Sequence, residues 1–146
     1  MTSYQKKDLS YYSLRLQEHL SISFPELSGD AAFISRRSSL ASGAYEGAFR
    51  AGNRIEQCDE IANYILFEGL HFSRFDAVFR IVSYEFDTLM ADEELHPFAL
   101  KMMEVCEPVF SAYKITDDFA DTSDFELLYT ELTGTIQLWI EEHGLQ

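Results

Sequence analysis

The chain is poor in the residues that usually announce a covalent staple or a chemistry. It has 2 cysteines in 146 residues, Cys58 and Cys106. They lie far apart and fit no C-x-x-C or zinc-ligand spacing, so both read as buried free thiols. The 3 prolines and 7 glycines form no linker, no low-complexity tract and no repeat that would divide the chain. No run approaches the ~20 apolar residues that span a bilayer. Lys6 and Lys7 are followed by no apolar stretch long enough for a signal peptide, and the expected location is the cytoplasm. Cations are scarce: 11 Lys and Arg against 25 Asp and Glu, for a net charge of -14. Arg36, Arg37, Arg50 and Arg54 sit among acids and make no basic stripe. Nucleic acid and anionic membranes are therefore not expected partners. G-x-G-x-x-G, P-loop and G-x-S-x-G patterns are all missing.

What remains is an ordinary globular composition, 47% hydrophobic, with 12 Phe and 8 Tyr supplying large buried areas. A chain of this length buries roughly 70% of its unfolded surface without help from metals or disulfides. One domain covering residues 1–146 is expected. The negative charge is uneven. Residues 1–84 hold 10 acids and 9 bases, whereas residues 85–146 hold 15 acids and 2 bases. Such a field favours a basic partner, although a solvated acidic surface needs no partner at all.

Apolar residues return at helical spacing throughout, which predicts an all-α, compact multihelical bundle of about six helices. The first spans about Asp8 to Ser23, with Leu9, Tyr12, Leu16 and Leu20 on one face, and Pro25 stops it. The second spans about Asp30 to Ala51, capped by Ser28 or Asp30, with Phe33, Leu40, Ala44 and Ala48 along it. Its later half is crowded with small residues, including Gly43 and Gly47. Each glycine weakens a helix by up to ~1 kcal/mol, so close packing of a neighbouring helix, or of a second copy, is expected there.

Gly52 reads as a stop and Asn53 as the next cap, for a helix running on to Gly69. A fourth helix follows Ser73, with Phe75, Val78, Phe79, Val82 and Phe86 in one stripe. An alternating strand reading of Ile81 to Phe86 lacks a hairpin partner. The fifth begins at Pro97 and is expected to kink or break near Cys106 because Pro108 interrupts its face. Ser123 and Glu126 suggest a capping box for a last helix through Leu128, Leu132, Ile136 and Trp139 to Gly144.

Two Glu-x-x-His units, Glu68 with His71 and Glu93 with His96, are the sharpest candidates for chemistry. Di-iron bundles join two such units to a Glu from each of two other helices. Here Gly69 falls inside the first unit, and Pro97 follows His96 directly, so the second is expected in a connection. No metal, catalytic or cofactor residue is assigned, and Glu68, His71, Glu93 and His96 stand as the metal candidates. His19 and His143 have no partner pattern. A Cys–His nucleophile pair has no local motif in its favour.

Four stretches, Leu9–Tyr12, Leu66–Ser73, Asp117–Ala120 and Glu126–Leu138, resemble a domain-of-unknown-function family of small helical Bacteroidetes proteins often carried on conjugative transposons. The resemblance covers essentially the whole chain and implies a multihelical fold, with no assigned activity. The leading expectation is a non-enzymatic interaction or regulatory protein, an accessory of a mobile element, whose partner is another protein with basic character. The alternatives are an acidic mimic of nucleic acid and a metal-dependent enzyme using the Glu/His quartet. A homo-oligomer through the small-residue face is also open.

Overall fold

Helical spacing in the sequence becomes helices in the structure, and among the described residues there is no strand. A computed structural model of the chain describes residues 9–144; Asp8, Lys6 and Lys7 lie outside them. The order is α1 (Leu9–Ser23), α2 (Ala31–Arg50), α3 (Ile55–Leu66), α4 (Arg74–Glu85), α5 (Asp92–Val105), α6 (Glu107–Ser111) and α7 (Asp124–His143). Short 3-10 turns at Asp87–Leu89 and Phe119–Asp121 lie between them. Two compact units meet in sequence between Leu70 and His71. The buried residues likewise fall into two hydrophobic clusters, one per unit. Periodicity alone could not distinguish one interior from two.

In the first unit, Tyr12, Leu16 and Leu20 of α1, Ala41, Tyr45 and Ala48 of α2, and Cys58, Ala62 and Leu66 of α3 are buried together. Asp30 caps α2, its carboxylate accepting from the Phe33 N–H at 3.0 Å. Asn53 does not cap α3 as its position suggested. Its side-chain amide donates to the Ala48 carbonyl at 3.0 Å and so closes α2. Arg54 takes the cap position, and its N–H donates to the Gln57 side chain at 3.1 Å. Helix α3 ends at Leu66 rather than Gly69, where φ is +79°.

The small residues of α2 also behave differently from expectation. Ala41 and Ala48 are buried, but a Cβ added at Gly43 or Gly47 would meet nothing within 4 Å. The glycines and Leu40, which is 56% exposed, look outward. Intramolecular packing accounts for the alanines alone.

In the second unit, Phe75, Val78, Ile81 and Val82 of α4 pack with Ala99, Met102, Cys106, Phe110 and Phe119, and with Leu128, Leu132 and Ile136 of α7. Ser73 caps α4 as expected, accepting from the Asp76 N–H at 2.9 Å. Helix α5 starts five residues before Pro97. Asp92, Glu93 and Glu94 suit its positive N-terminal end, and Glu94 accepts from the Ala91 N–H at 2.8 Å. These favourable contacts outweigh one lost hydrogen bond at Pro97. The break at Cys106 is present, and Pro108 sits in the first turn of the separate α6. Ser123 makes no side-chain cap bond, so the box with Glu126 is not formed. Gly144, at φ +73°, ends α7 and donates to the Ile140 carbonyl at 2.7 Å.

Candidate functional site

The Leu66–Ser73 stretch leaves α3 and leads to α4, and side chains from other elements anchor it. Helix ends leave carbonyls without partners, and these must be satisfied from elsewhere. Arg37 does this from α2. Its Nη1 donates to the carbonyls of Ile65 at 3.3 Å, Leu66 at 3.2 Å and Glu68 at 2.7 Å. The His19 ring nitrogen Nε2 bonds the Leu70 carbonyl at 2.9 Å, and the ring lies edge-on to Phe67, 5.1 Å between centroids. Arg15 adds a bond to Asn63 Oδ1 at 2.5 Å. Sequence reading missed Arg37 and His19 as anchors, because their acceptors lie on elements remote along the chain.

After Leu70 the stretch is held by the second unit. The His71 N–H donates to Asp117 Oδ1 at 3.2 Å, and the His71 ring nitrogen Nδ1 lies 3.4 Å from Asp117 Oδ2. Phe72 stacks edge-on against Phe119 and Phe125 at 5.2 and 6.0 Å. The Asp117–Ala120 stretch therefore meets the residues leading into α4. A groove of about 170 Å³ runs here between His71, Asp76, Arg80 and Phe125. Its chemistry is limited. The Ser73 hydroxyl is buried and serves as the cap acceptor, while His71 is half exposed and aligned by a carboxylate. The histidine–aspartate pair orients a loop.

Each of the four metal candidates has a setting of its own. Glu68 is exposed beyond the end of α3, and its backbone carbonyl is taken by Arg37. His71 faces Asp117. Glu93 lies in the first turn of α5, not in a connection, and is exposed. His96 lies in the same helix, its ring 5.0 Å from Phe75 and 6.0 Å from Phe79. Among the described residues no three His, Cys, Asp or Glu side chains are placed to hold one ion. The thiols are free and buried. Burial pushes Cys106 up to about 12, which keeps it protonated and unreactive near neutrality. His143 is exposed and stacks on Trp139 at 4.4 Å.

The carboxylates of the second unit form its most distinctive surface. Of the 15 acids from Glu85 onward, 14 are exposed and Asp117 is intermediate. Few meet a cation: Arg74 approaches Glu107 at 3.7 Å, alongside the His71–Asp117 pair. Others are met by phenols. Tyr129 donates to Glu85 at 3.2 Å, and Tyr113 donates to Glu131. The Glu131 hydrogen bond holds the Tyr113 hydroxyl up to about 12. Phenols leave the negative charge in place.

Fold and surface thus define an all-α protein with a core in each unit, an acidic second unit and no assembled catalytic centre among the described residues. No described helix is long and apolar enough to cross a membrane. The chain belongs to the family described as a domain of unknown function, DUF1896, whose model matches residues 4–145. It is similar to protein PG0816 from Porphyromonas gingivalis, a Bacteroidetes protein with a solved crystal structure. Identity is 38%, the TM-score is 0.91, and the match covers 97% of this chain and 96% of that one. No curated protein matches the chain.

Proposed function

We propose that the protein acts by binding rather than by catalysis, as a cytoplasmic accessory or regulatory protein of a mobile element. Its second unit receives a basic protein partner. The observation that carries this reading is the 14 exposed acids among the 15 from Glu85 onward. Carboxylates held in water at low cost steer a cationic partner and raise its association rate, and salt weakens the effect. Mimicry of duplex nucleic acid is the weaker use of the same charge. Along α7 no acid lies between Glu131 and Glu141, a gap of roughly 15 Å. Duplex phosphates place a charge about every 1.7 Å.

Affinity purification from native expression, at low and at high ionic strength, tests the proposal. A basic protein should be recovered at low salt and lost at high salt. The variant E104K/D121K/E126K, altered at three exposed acids, should release it. Recovery of no partner, or of one indifferent to both salt and the variant, would remove the basis for the reading.

A further inference from the structure

Two helices, one in each unit, carry exposed faces of matching form and opposite charge. On α2 the outward face runs Arg36, Leu40, Gly43, Gly47, Arg50 at helical spacing, and Leu40 is 56% exposed. Beside it lies a groove of about 450 Å³ between Arg37, Leu40, Gly43, Ala44 and Ile65. On α7 the outward face runs Leu127, Glu131, Gly134, Leu138, Glu141, with Leu127 and Leu138 each 59% exposed. Beside it lies a groove of about 430 Å³ between Glu85, Tyr129, Thr130, Thr133 and Gly134. A Cβ at Gly43 or at Gly134 would meet nothing within 4 Å, so neither glycine is explained by contacts among the described residues.

We infer that a second copy of this chain covers the α2 face with its own α7, the two helices antiparallel and crossing where Gly43 meets Gly134. That crossing brings backbones close and lets each exposed leucine enter the groove beside the other helix. It also places Arg36 opposite Glu141, both about two turns from the crossing. Arg50, already bonded to Glu46 at 3.2 Å, comes to the Leu127 end beside Glu126.

Charge selects this pairing over the symmetric ones. Two α2 helices crossed at Gly43 would set Arg36 against Arg50 of the other copy. Two α7 helices crossed at Gly134 would share a face whose only charges are the carboxylates of Glu131 and Glu141. Like charges facing each other across an interface disfavour association, and opposite ones fix register. The contact is heterologous: each copy offers one α2 face and one α7 face.

Sedimentation equilibrium of the full chain over a concentration series tests the inference. The chain should associate reversibly at low salt. Arg36→Glu and Glu141→Arg should each weaken association about tenfold or more, and the R36E/E141R combination should restore it. Gly43→Leu, whose Cβ meets nothing within 4 Å among the described residues, should also weaken association, with helix content by circular dichroism unchanged. A chain that stays monomeric throughout the series overturns the inference. So does association that ignores the single reversals, or reversals that the double variant fails to repair.

Discussion

Residues up to Leu70 and residues from His71 bury similar sets of apolar side chains but hold them with different chemistry. The first unit carries 9 acids and 7 bases, the second 16 acids and 4 bases. Two cations of the first unit, Arg37 and Arg15, are spent on contacts within it, while Arg36, Arg50 and Arg54 stay exposed. Arg37 closes the end of α3, and Arg15 ties α1 to α3 through Asn63. Buried Ser38 lies 3.2 Å from the Ser13 hydroxyl. The second unit is wedged instead by rings. Phe72, Phe119, Phe125 and Tyr113 meet edge-on at 5.2 to 6.3 Å. Edge-to-face pairs add about 0.5–1.5 kcal/mol beyond burial and tolerate short, broken helices. In the second unit 14 of the 15 acids from Glu85 onward stay exposed.

The largest effects should come from cavities. Leu16→Ala in the first cluster and Leu132→Ala in the second should each cost about 2–5 kcal/mol by chemical denaturation. Native-state hydrogen exchange should then place the lost protection within the unit that carries the change. Equal loss in both units would show that the clusters unfold together, and that the chain is one cooperative domain.

Next in size is Arg37→Ala, which strips three carbonyls of their donor. Hydrogen bonds to charged groups contribute about 1.5–3 kcal/mol, and a loss of that order is expected. Amides of residues 66–70 should exchange faster while those of α7 do not. Unchanged exchange there would mean that Arg37 is not what holds the segment.

Glycines then separate turn from surface. Gly52 has φ of +95°, so Gly52→Ala should lower stability by about 1–2 kcal/mol. Gly43 is helical and faces open space, so Gly43→Ala should raise it by up to ~1 kcal/mol. A loss at Gly43 in dilute, monomeric protein would mean that something in the chain does occupy that face.

The smallest effect is spectroscopic. Tyr113 has its folded pKa raised to about 12 by the Glu131 hydrogen bond. Its contribution is complete below the ordinary tyrosine range and fades as pH rises towards 12. Glu131→Gln should let one tyrosine ionise nearer 10 in an alkaline absorbance titration. A titration curve that does not move would show that the phenol is free of Glu131.

Legibility differed between the units for the same reasons. The stripe of α4 was readable, since Phe75, Val78, Val82 and Phe86 leave one amphipathic solution. Ser73, Asp30 and the break at Cys106 were also readable, because caps and prolines act on their nearest neighbours. The start of α5 was not, because Pro97 suggested a boundary that an acidic first turn and Glu94 move upstream. The cap role of Asn53 went to the preceding helix for a similar reason: its side chain could accept from amides of the following helix or donate to a carbonyl of the preceding one. At the candidate site, the motif residues His71 and Asp117 were visible, but their meeting was not.

Residue spacing by itself determined that the chain is helical, roughly where each helix lies and how unevenly charge is spread, since these depend on interactions within a few residues. Tertiary structure alone decided that Arg37 and His19 serve the end of α3 and that His71 meets Asp117. It also decided which glycines of α2 face open space. Those outcomes depend on which elements approach each other through space, and periodicity along a chain carries no such distance.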